Sequence, residues 1–183
     1  MKYLSRLILN SVGWKWDMTV EIPEKCVICV APHTSNWDFL VGQFFYSAIG
    51  KEASFLIKNS WFFFPLNLIF KQLGGVPIDR SRSSDVTQQM AQEFTNRTRF
   101  QLAITPEGTR KRNPRWKKGF YYIALKAQVP IVLVYFDYGK KVIGIHRIFE
   151  PTGNEEADLR EIKLHYKDIT ACHPDNFTIG NID

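Results

Sequence analysis

One stretch of the chain constrains its fold more than any other, because an apolar run leads directly into polar residues and then into a helical pattern. Residues 26–31 are continuously apolar and predict a buried strand. Apolar side chains then recur at helical spacing at Phe39, Leu40, Phe44 and Phe45. His33 would therefore stand at the end of a strand, and Asp38 in the first turns of the following helix. Strand ends are where open α/β sheets build their sites.

The spacing of His33 and Asp38 permits their side chains to meet. A neutral imidazole whose second ring nitrogen is held by a carboxylate is a general base that works near neutral pH. An aspartate near a helix start is also a common cap or dipole partner, and a single histidine is often structural. The spacing alone leaves both interpretations open.

Length and periodicity together predict the fold class. At 183 residues the chain suits one domain, residues 1–183, with a substantial core. Strands alternate with helices, which predicts an α/β fold with a mixed, mostly parallel sheet flanked by helices. The predicted strands are 18–22, 26–31, 53–57, 74–80, 100–104, 129–136 and 140–149, the last of them antiparallel. The predicted helices include one that Gly50 ends, one from Ser83 or Ser84 to about Asn96, and segments 119–128 and 155–168.

The charge distribution favours an anionic partner. The formal net charge is +6, yet residues 1–149 carry 21 basic and 10 acidic side chains, whereas residues 150–183 carry 3 and 8. The basic surplus therefore belongs to the body of the domain, where it would attract phosphates, an anionic membrane surface or nucleic acid.

The three cysteines predict no disulfide framework. Cys26 and Cys29 would lie on opposite faces of one strand as small core residues, and no further cysteine or histidine pair stands at zinc spacing. A reducing, cytoplasmic compartment fits this composition. The first 16 residues lack the continuous apolar core and cleavage site of a signal peptide.

Two apolar segments each allow two interpretations. Residues 2–12 place apolar side chains on one helical stripe, which suits either an interfacial amphipathic helix within residues 1–17 or a helix docked on the core. Residues 61–70 are the most apolar stretch and are too short to span a bilayer. They suit either a hydrophobic lip that meets lipid or a fatty chain, or a buried helix broken at Pro65. The helical stripe within residues 2–12 consists of Leu4, Leu7, Ile8 and Val12.

Further polar residues follow other predicted strands. Arg80 comes after a strand with a double glycine, and residues 107–110 form a polar turn after another. Gly108 is free to adopt a positive φ, and arginines bind phosphate bidentately. Glu107 could hold an acceptor hydroxyl or brace an arginine, and Thr109 could add a donor. Taken singly, Arg80 could equally pair with a nearby aspartate, and Thr109 could be a plain turn residue.

Together these segments resemble the four motifs of the glycerolipid acyltransferases, the lysophosphatidic acid acyltransferase superfamily. Residues 33–38 are similar to its His-x4-Asp motif, and residues 74–80 to its second motif, which ends in Ile-Asp-Arg. Residues 106–110 resemble its third motif, and Val129, Pro130 and Ile131 its fourth. The resemblance extends over residues 25–135. Departures from the family pattern, which leave every reactive group in place, occur at Pro32, Pro77, Thr105 and Leu133.

The resemblance implies a glycerol-phosphate-acyltransferase-like fold and an acyl transfer. His33 would deprotonate an acceptor hydroxyl that attacks an acyl thioester, carried by coenzyme A or acyl carrier protein, and Asp38 would orient His33. Acceptor or phosphate binding is expected from Arg80, Glu107, Gly108, Thr109 and Arg110, and an acyl pocket from Val129, Pro130 and Ile131. The expected acceptor is a lysophospholipid such as lysophosphatidic acid. No metal or bound cofactor is expected, and the protein would lie peripherally on the inner face of the membrane in phospholipid biosynthesis.

Two other functions compete with acyl transfer. One is a non-catalytic basic module that binds membrane or nucleic acid through residues 97–118, where eight basic residues are interleaved with Phe100 and Trp116. The other is a thioesterase that uses the same histidine with water. The acyltransferase hypothesis, which involves no nucleic acid, accounts for more of the sequence.

Overall fold

A seven-stranded sheet organises the structure, which is a computed structural model. The structure describes residues 1–78 and 83–182, and of residues 83–85 it describes the backbone alone. Its strands are β1 (Lys15–Met18), β2 (Lys25–Val30), β3 (Ser54–Lys58), β4 (Gly75–Ile78), β5 (Phe100–Ile104), β6 (Ile131–Asp137) and β7 (Val142–Phe149). Their order across the sheet is β1-β7-β6-β2-β5-β3-β4. Strands β2 to β6 run parallel, whereas β7 is antiparallel to β6 and β1 pairs parallel with β7. The predicted fold class, including the antiparallel strand after residue 139, is confirmed.

Six α-helices flank the sheet in the described ranges. They are α1 (Lys2–Ser11), α2 (Trp37–Ile49), α3 (Leu66–Gln72), α4 (Ser83–Asn96), α5 (Gly119–Ala127) and α6 (Glu155–His165). Gly50 ends α2 with a φ of 74°, a left-handed conformation that glycine adopts without a Cβ penalty. The predicted helix end at Gly50 is therefore confirmed.

The core has two layers, one on each face of the sheet. Helices α1 and α2 cover one face, and α4, α5 and α6 cover the other. Side chains alternate along β2, so Cys26 packs in the first layer and Cys29 in the second. The prediction that these cysteines are core residues on opposite faces is confirmed. Burial raises the pKa of the Cys26 thiol to about 12, so this side chain is an uncharged apolar residue at neutral pH.

Helix α1 contacts the core through a different face from its apolar stripe. Ser5 and Leu9 are buried, and the Ser5 hydroxyl donates to Ser47 Oγ at 2.8 Å on α2. Leu4 and Leu7 remain exposed. The helix therefore docks on the core, as one of the two interpretations predicts, and part of its apolar stripe stays exposed. Its role as an interfacial helix stays a prediction.

Several predicted boundaries are wrong. The first strand is Lys15–Met18, set by its register with β7, and residues 19–22 are not in a strand. Residues 53–57 were predicted as a buried strand, but β3 is half-buried, and in the described sheet it lies next to the edge strand β4. Helix α6 ends at His165, three residues earlier than the predicted segment.

The apolar segment of residues 61–70 is not a buried helix. It forms the end of a 3₁₀ turn (Asn59–Trp61) and most of α3, none of whose residues is buried. Phe64 is 76% exposed and Trp61 56% exposed. Among the described helices none combines the length and the apolar character needed to cross a bilayer. The interpretation as an exposed lip agrees with this geometry. We call the exposed side chains here the apolar patch, which comprises Trp61, Phe63, Phe64, Leu68, Ile69 and Leu73.

The sheet order explains where a site can form. Strands β6, β2 and β5 are neighbours and run in the same direction, so their carboxyl ends meet at one edge. His33 follows β2, Glu107 follows β5 and Tyr138 follows β6. Three segments distant in sequence therefore converge at this edge.

Candidate active site

His33 and Asp38 form a pair at the carboxyl edge of the sheet. His33 Nδ1 lies 3.2 Å from Asp38 Oδ2. The Asp38 side chain is 2% exposed, whereas that of His33 is 19% exposed. The carboxylate is thus shielded from water while the imidazole remains accessible to a ligand. The contact permitted by the sequence spacing is present in the structure.

The Asp38 carboxylate is held on all sides by donors. Its Oδ2 accepts the backbone N–H groups of Thr34 at 2.8 Å and Ser35 at 2.9 Å, and its Oδ1 accepts the Tyr138 hydroxyl at 2.6 Å. Asp38 also lies in the first turn of α2, where the helix dipole favours negative charge. These contacts fix the orientation of the carboxylate toward His33.

Tyr138 is a part of this site that the sequence alone did not reveal. Burial, the hydrogen bond to Asp38 and the charge of that carboxylate raise the pKa of Tyr138 well above its usual range. The hydroxyl therefore stays protonated and donates to Asp38 throughout the neutral pH range. A position directly after a strand was the available signal, but it does not identify the partner across the sheet.

Glu107 supports the backbone of His33. Its Oε1 accepts the His33 N–H at 2.7 Å, and its Oε2 makes no hydrogen bond within the described residues. Burial raises the pKa of the Glu107 carboxyl, and the His33 N–H offsets part of that rise. Glu107 is 3% exposed, and its Oε1 is occupied by the hydrogen bond from His33. A contact with an acceptor hydroxyl remains open to Oε2 alone.

Residues 108–110 form an exposed turn at the rim of the site. Gly108 has a φ of 65°, which confirms the predicted need for glycine. Thr109 Oγ1 accepts the Lys111 N–H at 3.2 Å, and the Arg110 guanidinium donates to Asn36 Oδ1. Gly108, Thr109 and Arg110 line the same cleft as His33, and their role in acceptor binding stays a prediction. Arg80, the remaining predicted phosphate ligand, lies outside the described residues.

The predicted acyl-pocket residues lie elsewhere. Val129 and Ile131 are buried in the core, and the Pro130 carbonyl accepts the Val27 N–H at 3.0 Å. All three precede or begin β6, so they sit at the amino edge of the sheet, opposite to His33. None of them lines the cleft that holds His33. Their position argues against the acyl-pocket prediction and agrees with a core strand.

His33 opens into a cleft of about 1970 Å³. One part of its wall is apolar and includes Phe39, Leu40, Phe55 and Ile104. Its rim is cationic in the described residues, with Arg110, Lys111, Lys117, Lys118 and Lys126. Such a cleft suits a ligand that combines an apolar chain with an anionic group.

The C-terminal segment completes the cleft. The His173 N–H donates to Thr34 Oγ1 at 3.0 Å, and the side chains of His173 and Asn176 line the cleft. This contribution was not predicted, because the segment follows the last predicted helix and carries no recognisable motif.

The geometry weakens the nucleic-acid hypothesis. Phe100 is 3% exposed and Trp116 is 7% exposed, and both pack in the core. Neither ring is available to stack on a base, although the basic side chains around them are exposed. The interleaved aromatics are therefore structural.

A carboxylate-held imidazole facing an apolar cleft at the carboxyl edge of a parallel sheet is an arrangement typical of α/β enzymes that use histidine to move a proton. The family model described as Acyltransferase matches residues 18–137, about two thirds of the chain. The chain therefore belongs to the acyltransferase family. The matched range includes His33, Asp38 and Glu107 and ends one residue before Tyr138.

Individual relatives agree with this assignment. Human 1-acyl-sn-glycerol-3-phosphate acyltransferase beta is 44% identical over 103 residues, which cover 53% of this chain and 37% of that protein. An uncharacterized acyltransferase from Schizosaccharomyces pombe is 32% identical over 120 residues, 59% of this chain and 40% of that protein. The chain thus matches about two fifths of the length of these curated relatives.

A solved structure shares the fold. The crystal structure of the 1-acyl-sn-glycerophosphate (LPA) acyltransferase PlsC from Thermotoga maritima superposes with a TM-score of 0.62. The match covers 91% of this chain and 75% of that one at 19% sequence identity. At this identity the similarity establishes a common fold.

Proposed function

We propose that this protein transfers a fatty acyl group from an acyl thioester to a hydroxyl of a lysophospholipid-like acceptor, with lysophosphatidic acid as the principal candidate. The observation that carries the proposal is the 3.2 Å contact between His33 Nδ1 and Asp38 Oδ2 beside an apolar cleft with a cationic rim. The name of the human relative, a 1-acyl-sn-glycerol-3-phosphate acyltransferase, supports the choice of acceptor.

In the proposed reaction, His33 Nε2 takes the proton of the acceptor hydroxyl as its oxygen attacks the thioester carbonyl. Asp38 holds Nδ1 and stabilises the imidazolium that forms. The tetrahedral intermediate then collapses with cleavage of the carbon–sulfur bond, and the imidazolium returns its proton to the departing thiolate. Binding both substrates in one cleft supplies the proximity that this bimolecular step requires.

The proposed substrates match the two parts of the cleft. Lysophosphatidic acid carries a phosphate and an apolar chain, and both coenzyme A and acyl carrier protein are anionic donors. The exposed cations at the rim would attract these anionic groups. Arg110 with Gly108 and Thr109 remains the proposed acceptor site among the described residues. The proposed reaction uses no bound cofactor, as the family resemblance implies.

The test is release of free thiol from a panel of acyl-coenzyme A and acyl carrier protein donors, with and without lysolipids in liposomes. Acyl transfer predicts release that depends on the acceptor, together with formation of the acylated lipid. Release without any acceptor would identify a thioesterase. Tight, salt-sensitive binding of nucleic acid without any thiol release would favour the binding module.

The proposal includes peripheral association with the inner face of the membrane. The apolar patch follows β3, whose carboxyl end lies at the same edge of the sheet as His33. Exposed lysines, Lys58 and Lys71, lie directly before and after the apolar residues 61–70, and such cations favour anionic lipid. A patch in this place would bring the cleft to the bilayer, where a lysolipid resides.

Replacing Trp61 and Phe64 together by serine is expected to weaken binding to anionic vesicles by about tenfold or more. Each ring buried in lipid contributes on the order of 1–2 kcal/mol. The melting temperature should hardly change, because both side chains are mostly exposed. Vesicle sedimentation measures the effect, and Leu164→Ser, an exposed apolar residue on α6, is the matched control. Unaltered vesicle binding in the double variant would contradict a role for the apolar patch.

A further inference from the structure

The two oxygens of the Asp38 carboxylate have different sets of donors. Oδ2 faces His33 Nδ1 and accepts the N–H groups of Thr34 and Ser35. Oδ1 accepts one hydrogen bond within the described residues, from the Tyr138 hydroxyl at 2.6 Å. Because the side chain of Asp38 is 2% exposed, water does not readily replace a missing donor. The environment of Oδ1 therefore depends on Tyr138.

We propose that Tyr138 is a positioning residue that acts on His33 through Asp38. Its hydroxyl fixes the orientation of the carboxylate and takes up part of its negative charge. The carboxylate consequently holds a protonated His33 less strongly than it would with a bare Oδ1. The consequence for turnover rests on the proposed function, whereas the effect on the ionisation of His33 does not.

Tyr138 is itself firmly held. Its ring meets Trp14 edge-on with centroids 5.0 Å apart, and its backbone N–H donates to the Thr170 carbonyl at 2.9 Å. The first contact comes from the segment after α1 and the second from the C-terminal segment. Two elements outside the four motifs thus place the hydroxyl against Asp38, and the phenol keeps its proton because its pKa is raised.

Other titratable groups lie close to His33, Asp38 or Tyr138, and their effects must be distinguished from the effect of Tyr138. Glu107 contacts the His33 backbone from the loop after β5 and interacts electrostatically with both His33 and Asp38. Cys172 lies beside the Tyr138 hydroxyl on the C-terminal segment. Among the described residues, His173 and the cationic rim also line the cleft into which His33 opens. Because Glu107 is the titratable group that contacts the His33 backbone, an experiment on Tyr138 needs a background in which Glu107 cannot titrate.

The first experiment measures His33 directly by ¹⁵N NMR of protein labelled at histidine. The chain has only four histidines, and His33→Ala assigns the resonance. In Tyr138→Phe the titration of the His33 imidazole is expected to move to higher pH by roughly half a unit or more. The same shift is expected when Tyr138→Phe is combined with Glu107→Gln, which excludes Glu107 as its origin.

Tyr135→Phe is the matched control. It removes a hydroxyl from β6, but the Tyr135 ring faces His146 and His165, at centroid distances of 5.6 and 6.0 Å. It should leave the titration of His33 unaltered. An unshifted His33 in Tyr138→Phe, or an equal shift in Tyr135→Phe, would overturn the inference.

The second readout is kinetic. Tyr138→Phe is expected to lower kcat by roughly tenfold to a hundredfold, the usual effect of losing an orienting hydrogen bond, with both KM values unchanged. A purely structural role would lower the amount of folded enzyme without moving the His33 titration. Turnover that survives His33→Ala would instead defeat the proposed function, even if Tyr138→Phe still shifts His33. Failure of the inference about Tyr138 is therefore distinguishable from failure of the proposed function.

Phenylalanine preserves the ring that contacts Trp14, so the variant should fold. If it does not, ¹³C NMR of the unaltered protein tests the same contact. The Tyr138 ring carbon, assigned through its contact with Trp14, should remain in the protonated form at pH values where exposed tyrosines ionise. Ionisation of Tyr138 at an ordinary tyrosine pKa would show that its hydroxyl does not donate to Asp38, and would overturn the inference.

Discussion

Replacing His33 by alanine is expected to lower acyl transfer by roughly a thousandfold or more. The side chain supplies the proposed general base, and removal of a base and its ordered partner commonly has an effect of this size. Binding of the acceptor should persist, because the cationic rim and the apolar wall do not involve the imidazole. Initial rates of thiol release with saturating lysophosphatidic acid measure the loss.

The stability of His33→Ala provides a necessary check. The imidazole is partly exposed and contacts Asp38, whereas Glu107 binds the backbone N–H of His33, which alanine retains. The melting temperature should therefore change little. His146→Ala is the control, since His146 Nε2 lies 3.1 Å from Asp17 Oδ2 and His146 does not line the cleft. Transfer by His33→Ala at a rate near that of the control would reject His33 as the base.

The placement of His33 and Asp38 was predictable because it depends on two local features, the end of a strand and the start of a helix. An apolar run ends, a helical pattern begins, and the chain between them is too short to place the two side chains far apart. The turn at Gly108 was predictable for a similar reason, since it needs a positive φ that glycine adopts without strain. Short-range geometry is thus contained in the sequence pattern.

Contacts between distant segments were not predictable in the same way. Tyr138 and Asp38 are 100 positions apart, and only the adjacency of β6 and β2 brings them together. The prediction that Val129, Pro130 and Ile131 shape an acyl pocket did not include the direction of β6. Residues that precede a parallel strand lie at the edge opposite to those that follow it, so this segment could not meet His33.

The docking face of α1 illustrates a further limit of periodicity. An apolar stripe marks side chains that avoid water, but it does not specify whether protein or lipid covers them. Ser5 and Leu9 dock the helix, because a serine hydroxyl can bond with Ser47 across the interface while Leu9 enters the core. Leu4 and Leu7, which belong to the stripe, remain exposed.

Asp38→Asn is expected to separate the catalytic role of Asp38 from its structural role. Asparagine keeps one oxygen that can accept the N–H groups of Thr34 and Ser35, and its amide can donate to the Tyr138 oxygen. It lacks the charge that stabilises a protonated His33. We therefore expect kcat to fall by roughly a thousandfold or more, while the free energy of unfolding falls by only about 1 kcal/mol.

Asp38→Ala removes both roles and is the informative comparison. The buried N–H groups of Thr34 and Ser35 and the Tyr138 hydroxyl then lose their acceptor, at a total of about 2–4 kcal/mol in the free energy of unfolding. Urea denaturation of both variants, alongside kcat, measures the separation. Equal destabilisation by asparagine and alanine would show that the carboxylate charge holds the turn. The large loss of kcat is expected because an imidazolium that forms during the reaction needs a negative charge nearby. A kcat of Asp38→Asn within tenfold of the unaltered protein would therefore show that His33 works without an anionic partner.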